Sequence, residues 1–138
     1  MADFINTIDL LGDDATAKAL IERTITEFRD DILYSFHWSA LSNCKSLTLV
    51  DLPNIASIGI RSFENSSALT TIILRMGIVC ALANTSAFDN TPFASGGTGG
   101  TVYVPQALIT AYQNETNWST LYAAGTCNFV AIEGSEYE

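Results

Sequence analysis

Positive charge is scarce in this chain of 138 residues, which carries six Lys and Arg against fifteen Asp and Glu and a formal net charge of −9. The six, Lys18, Arg23, Arg29, Lys45, Arg61 and Arg75, are scattered and form no run. Nucleic-acid binding needs a concentrated basic face to neutralise phosphates, so that function is not expected, nor is docking on anionic membranes. Long apolar runs are also missing. The most apolar stretch, 71–83, is broken by Arg75 and falls short of the ~20 residues a membrane helix needs, so no membrane insertion is expected. Asp3 and Asp9 stand where a secretory leader would be basic, which predicts a chain that stays where it is made or leaves as part of an assembly. Cysteines number three, Cys44, Cys80 and Cys127. An odd count, wide spacing and no C-x-x-C argue against a disulfide framework or a zinc site, and predict small buried hydrophobes.

Catalytic constellations are equally thin. His37 is the single histidine, with Ser35 and Ser39 beside it and Asp30 and Asp31 upstream. Near neighbours on one chain do not make a triad, and no G-x-S-x-G elbow is present, so no enzyme activity is expected. The glycine run 96–100 is followed by no Lys-Ser or Lys-Thr and precedes a strand pattern, which removes the phosphate-loop reading and predicts a flexible connection. The pairs Asp13-Asp14 and Asp30-Asp31 lack calcium-loop spacing and suit the start and exit of a helix, so no metal and no cofactor is expected.

What is present is a folded composition, 48% hydrophobic and 15% charged, at a length that suits one domain. It is organised as a repeat. "LTLVDL" (47–52) and "LTTIIL" (69–74) lie 22 residues apart and both read L-x-x-L-x-L. Leu47, Val50 and Leu52 point inward in one copy, and Leu69, Ile72 and Leu74 in the other. A third strand is predicted over "TVYV" (101–104), with Val102 and Val104 inward. One such unit cannot bury its apolar side alone, whereas parallel stacking makes a continuous core.

Stacks need covered ends. Asp13 or Asp14 is placed to cap a helix reaching about Phe28, with Ala17, Leu20, Ile21, Thr24, Ile25 and Phe28 as its apolar stripe. After Pro105, "QALITAYQ" presents Leu108, Ala111 and Tyr112, and "NWSTLYA" presents Trp118, Leu121 and Tyr122, as two short helices. "FVAI" (129–132) reads as a closing edge strand with an acidic tail. The expected architecture is α/β: one domain over 1–138, a short leucine-rich-repeat solenoid of about three parallel strands over 35–104, an N-terminal helical cap over 1–34 and a C-terminal helical cap over 105–138.

The register 43–63, "NCKSLTLVDLPNIASIGIRSF", resembles the BspA-type leucine-rich repeats of bacterial surface proteins, and 102–123 is similar to the segment that closes many such arrays. The resemblance covers roughly residues 35 to 132. It implies that Asn43, Cys44, Leu47, Pro53, Ile58, Gly59 and Phe63 are structural positions. It also implies binding or scaffolding, as in phage structural proteins or bacterial adhesins, with a protein or host-surface partner and a homo-oligomer, trimeric by family analogy. A virion or cell-surface location follows from the same likeness. His37 departs from the pattern at the Gly59 position.

Candidate recognition residues fall in two groups. Leu49, Ile73 and Tyr103 take outward positions on three strands and either line an exposed sheet face or lie beneath a cap segment. Phe36 aligns with Ile58 and Leu41 with Phe63, so Phe36 is read as core in exchange for a smaller residue at 41. Tyr34, His37 and Trp38 align with Ser57, Gly59 and Ile60, and either form an aromatic recognition patch or pack under the N-terminal helix.

Overall fold

Short apolar segments of parallel strand, each ending in a tight turn, build this protein. The computed structural model describes residues 25–29, 35–36 and 39–138. Strands β1 (Glu27–Arg29), β2 (Leu49–Leu52), β4 (Thr71–Leu74), β6 (Gly100–Val104) and β7 (Cys127–Ala131) form one sheet in the order β1-β2-β4-β6-β7, with every neighbouring pair parallel. Strands β3 (Ser57–Ile58) and β5 (Ala81–Leu82) form a second parallel pair, which Ser35 extends through a bridge to Ser57. The class is therefore α/β with a five-stranded parallel sheet.

The register follows the repeat. Glu27 pairs with Leu49 and Leu49 with Thr71, each step 22 residues. The inward row Phe28, Val50, Ile72, Val102 and Phe129 runs across all five strands. Removing each of these side chains from water contributes about 2 kcal/mol, the main force holding the strands in register. Leu47 and Leu69 enter the core from the turn before each strand, so β2 begins two residues later than the apolar pattern does.

Five strands, not three, make the sheet. β7 fulfils the edge strand expected at 129–132, shifted two residues toward the N-terminus at its start. β1 stands where the helix to Phe28 was expected to end; its earlier part, 13–24, lies outside the described residues. The difference has a physical cause. Ile25 and Phe28 are three apart and both buried, which fits one side of a helix. Leu47 and Val50 are also three apart, because the first enters from a turn and the second from the strand. Ile25 and Phe28 are that same pair one step earlier.

Along the connections that lead from the two-stranded pair back to the main sheet, backbone bonds join consecutive turns. The Leu41 N–H donates to the Ser62 carbonyl, and the Phe63 N–H to the Ala87 carbonyl. Asn43, Asn65 and Asn90 stack there in the left-handed conformation, at φ 60, 65 and 59°. Asn90 Nδ2 donates to Asn65 Oδ1 at 2.7 Å, and Asn65 Nδ2 to Asn43 Oδ1 at 3.0 Å. Asparagine tolerates this backbone region better than most residues. Asn65→Ala therefore costs both ladder bonds and the left-handed strain, roughly 1–2 kcal/mol in urea unfolding, while Asn65→Gly keeps the backbone and costs less. Equal losses for the two variants would show that the backbone term is absent.

The C-terminal segment meets expectation in outline. Gln106–Leu108 forms a 3-10 turn, followed by helices α1 (Ile109–Asn114) and α2 (Trp118–Ala123). They cover the open edge of β5, whose backbone groups would otherwise be buried without partners. The Cys80 N–H donates to the Tyr112 hydroxyl at 2.8 Å, Trp118 Nε1 donates to the Cys80 carbonyl at 2.8 Å, and Asn117 Nδ2 donates to the Leu82 carbonyl at 2.7 Å. Tyr112, Trp118 and Leu121 are buried; Ala111 and Tyr122 face outward instead.

Candidate recognition surface

Alternation along the strands turns Arg29, Asp51, Ile73, Tyr103 and Val130 away from the inner core, as one row across the sheet. The middle of this outer face is covered. After β7 the chain turns, with the Ser135 N–H donating to the Ile132 carbonyl, and returns across the sheet. Ile132 and Tyr137 then pack with Leu49, Ile73 and Tyr103 in a second apolar cluster. The Tyr103 and Tyr137 rings meet edge to face at 4.8 Å. Leu49 and Ile73 are 8% and 0% exposed, so of their two possible placements the covered one holds. Tyr103 stays half-buried at the margin.

A buried carboxylate pins this cover. Asp51 occupies an outward position beneath the tail with its side chain 8% exposed. Arg29 Nη1 donates to Asp51 Oδ2 at 2.9 Å, while Arg75 donates from Nε to Oδ1 at 2.8 Å and from Nη2 to Oδ2 at 3.0 Å. Arg75 Nη1 donates in turn to the Tyr137 carbonyl at 2.7 Å. The fork of one guanidinium thus ties the sheet to the returning tail. Its hydrogen bonds to Asp51 hold the Arg75 guanidinium above its ordinary pKa, more than burial lowers it.

Tyr34, His37 and Trp38 lie outside the described residues. Their neighbours fix the register on either side. Phe36 is buried, its N–H donates to the Ser57 carbonyl, and its ring meets Phe28 at 6.0 Å and Phe63 at 5.2 Å. The alignments of Phe36 with Ile58 and Leu41 with Phe63 hold in space, whereas that of Tyr34 with Ser57 does not: Ser35 stands across from Ser57, one residue later, as the 22-residue step requires. Phe36, one residue past the bridge from Ser35 to Ser57, carries its ring to that of Phe63. Positive φ in these turns falls at Ser39 and Arg61, two residues beyond the position where His37 aligns with Gly59.

All three cysteines are buried, and none forms a disulfide. Burial pushes the Cys80 and Cys127 thiols up to about 12 from 9.0, so they are poor nucleophiles and poor metal ligands at neutral pH. The folded state keeps protons that the unfolded chain releases above 9.0. Their contribution to stability is full below that value and falls as pH rises toward 12. Thermal melts across this window are expected to show a falling midpoint, with Cys127→Ala flattening the slope. The Tyr112 hydroxyl, raised mainly by burial, works in the same direction.

The glycine-rich connection is more tightly fitted than a flexible link. A Cβ on Gly100 would stand 2.5 Å from Cζ of the Phe93 ring, and one on Gly97 would stand 2.6 Å from the Pro92 carbonyl. These glycines let β6 and its lead-in close over an aromatic ring.

Among the described residues no group of three metal-ligating side chains occurs, and no helix is long and apolar enough to cross a membrane. No protein-family model, curated protein or solved structure matches the chain. The geometry offers fixed surfaces built on ladders. Asp51 and its two arginines are absent from the sequence-level candidates. Extending the repeat one unit toward the N-terminus finds the Arg29–Asp51 pair, since Thr26-Glu27-Phe28-Arg29 takes the register of Thr48-Leu49-Val50-Asp51.

Proposed function

We propose that this chain is a non-catalytic recognition or scaffolding module: a short leucine-rich-repeat stack of the BspA type, carried in a phage virion as a fibre, decoration or tail-tip component. The observation that supports it best is the shared 22-residue step. It relates strand to strand at Glu27, Leu49 and Thr71, and asparagine to asparagine at Asn43 and Asn65. Side chains that would serve chemistry are committed to structure: Asp51 to two arginines, Tyr112 and Trp118 to the Cys80 backbone, and three thiols to the core. Such a stack presents its exposed faces rigidly, which favours recognition by lowering the ordering cost of binding.

Assembly as a homo-oligomer belongs to this reading, a trimer by analogy with fibres. β7 supplies a sheet edge with Val130 41% exposed and Tyr122 equally exposed beside it. Light scattering of the purified protein tests this, and a monomer at all concentrations argues against it. Location is tested by mass spectrometry of purified virions and cell walls from the producing strain. Virion-bound protein supports the proposal. Protein confined to cell walls replaces it with a secreted surface adhesin.

A further inference from the structure

We propose that the cleft between the 3-10 turn Thr85–Phe88 and helix α2 binds a neutral pyranose unit of a glycan. This deepens the recognition-module reading, and rests on it, by naming the ligand class.

The cleft has a volume of about 320 Å³, the lower end of the range for small-ligand sites and room for one sugar unit. Its polar wall comes from Thr85, Asp89, Asn90, Ser95 and Thr120. Ala94 and the buried Leu121 give it an aliphatic floor. The backbone that carries these groups is fixed. The Asp89 N–H donates to the Ser86 carbonyl, and the Asp89 carbonyl accepts from the Asn65 N–H at 2.9 Å. The side chains are not fixed by protein partners: Thr85, Asp89, Ser95 and Thr120 make no side-chain hydrogen bond among the described residues. Asn90 is the end of the asparagine ladder. Its Nδ2 is spent on Asn65 Oδ1, which leaves Oδ1 as an acceptor at the rim.

The chemistry of this wall selects its ligand. No Lys, Arg or His lines the cleft, and the Asp89 carboxylate repels phosphates and carboxylates, so nucleotides and acidic sugars do not fit. A small cation would gain one water-facing carboxylate and no aromatic ring, which is weak. A pyranose carries adjacent hydroxyls that donate to a carboxylate and an amide oxygen, accept from Thr and Ser hydroxyls, and alternate with a C–H side suited to Ala94 and Leu121.

The test is a titration of the isotope-labelled full chain with neutral hexoses, N-acetylhexosamines and their short oligomers, read by NMR. Saturable shifts at Asp89, Asn90, Ser95 and Thr120 with Kd of about 1 mM are expected for at least one saccharide. Asp89→Ala weakens that binding about tenfold, and Thr120→Arg, which fills the cleft from an exposed position, abolishes it. Both variants keep the wild-type melting temperature. Silence toward every neutral saccharide at about 10 mM overturns the site, as do shifts that survive Thr120→Arg. Saturable binding of a small amine such as putrescine with saccharides silent also overturns it. Silence leaves the scaffold and virion reading to its own test. Shortening of a bound oligosaccharide upholds the cleft but overturns the non-catalytic reading.

Discussion

Phe88→Ala is expected to cost about 4 kcal/mol in urea unfolding, the largest loss from any single truncation in the core. The Phe88 ring is fully buried where three parts of the chain meet. It stacks on Phe63 at 5.5 Å and tilts against Phe93 at 5.2 Å and Trp118 at 5.8 Å. Phe63 belongs to the turn layer, Phe93 to the lead-in of β6, and Trp118 to α2. The deletion therefore leaves a cavity bounded by rings, and rings held by separate elements cannot collapse together to fill it. Trp118 is further tied by its Nε1 bond to the Cys80 carbonyl. Phe88→Leu retains most of the volume and is expected to cost about 1–1.5 kcal/mol. A domain of this size has only about 5–15 kcal/mol in total, so the alanine variant is severely weakened. A loss under about 1.5 kcal/mol for the alanine change would show that the aromatic column is not a shared support.

That column explains what the sequence makes legible and what it hides. The 22-residue step is readable because each inward position of β2 has a like residue in β4: Val50 with Ile72, Leu52 with Leu74. Asn43 and Asn65 are readable as a pair for the same reason, and their ladder gives the match a physical cause. Phe36 is readable as core only because Ile58 shows what it replaces. β1 is hidden because a three-residue apolar spacing arises both on a helix and at a turn-to-strand entry, and a segment as short as 25–29 does not separate them. The cover on Leu49 and Ile73 is hidden for another reason. Ile132 and Tyr137 meet them by a return of the chain that no periodicity encodes. The cleft is the hardest to see, since its wall gathers polar residues from a turn, a glycine-rich connection and a helix, each ordinary for its own segment.

Asp51→Asn is expected to cost roughly 2–4 kcal/mol and to loosen the tail, although the change removes no volume. The carboxylate accepts three hydrogen bonds from two arginines and is 8% exposed, so its charge is largely withdrawn from water. An amide at this position keeps one acceptor oxygen and turns two donor hydrogens toward guanidinium groups that have only donors. Arg29 and Arg75 are 40% and 30% exposed and regain some hydration, which keeps the loss below that of a fully buried pair. Arg75→Met preserves the aliphatic stem over the outer cluster and removes the bond to the Tyr137 carbonyl. The double variant is expected to lose less than the sum of the single ones, because the partner Asp51 would have left unpaired is already gone. Tail release is a separate readout. Either variant uncovers Leu49 and Ile73, and raised binding of an environment-sensitive apolar dye at temperatures below unfolding should report it. Additive losses with no gain in dye binding would show that the arginine fork does not hold the C-terminal segment to the sheet.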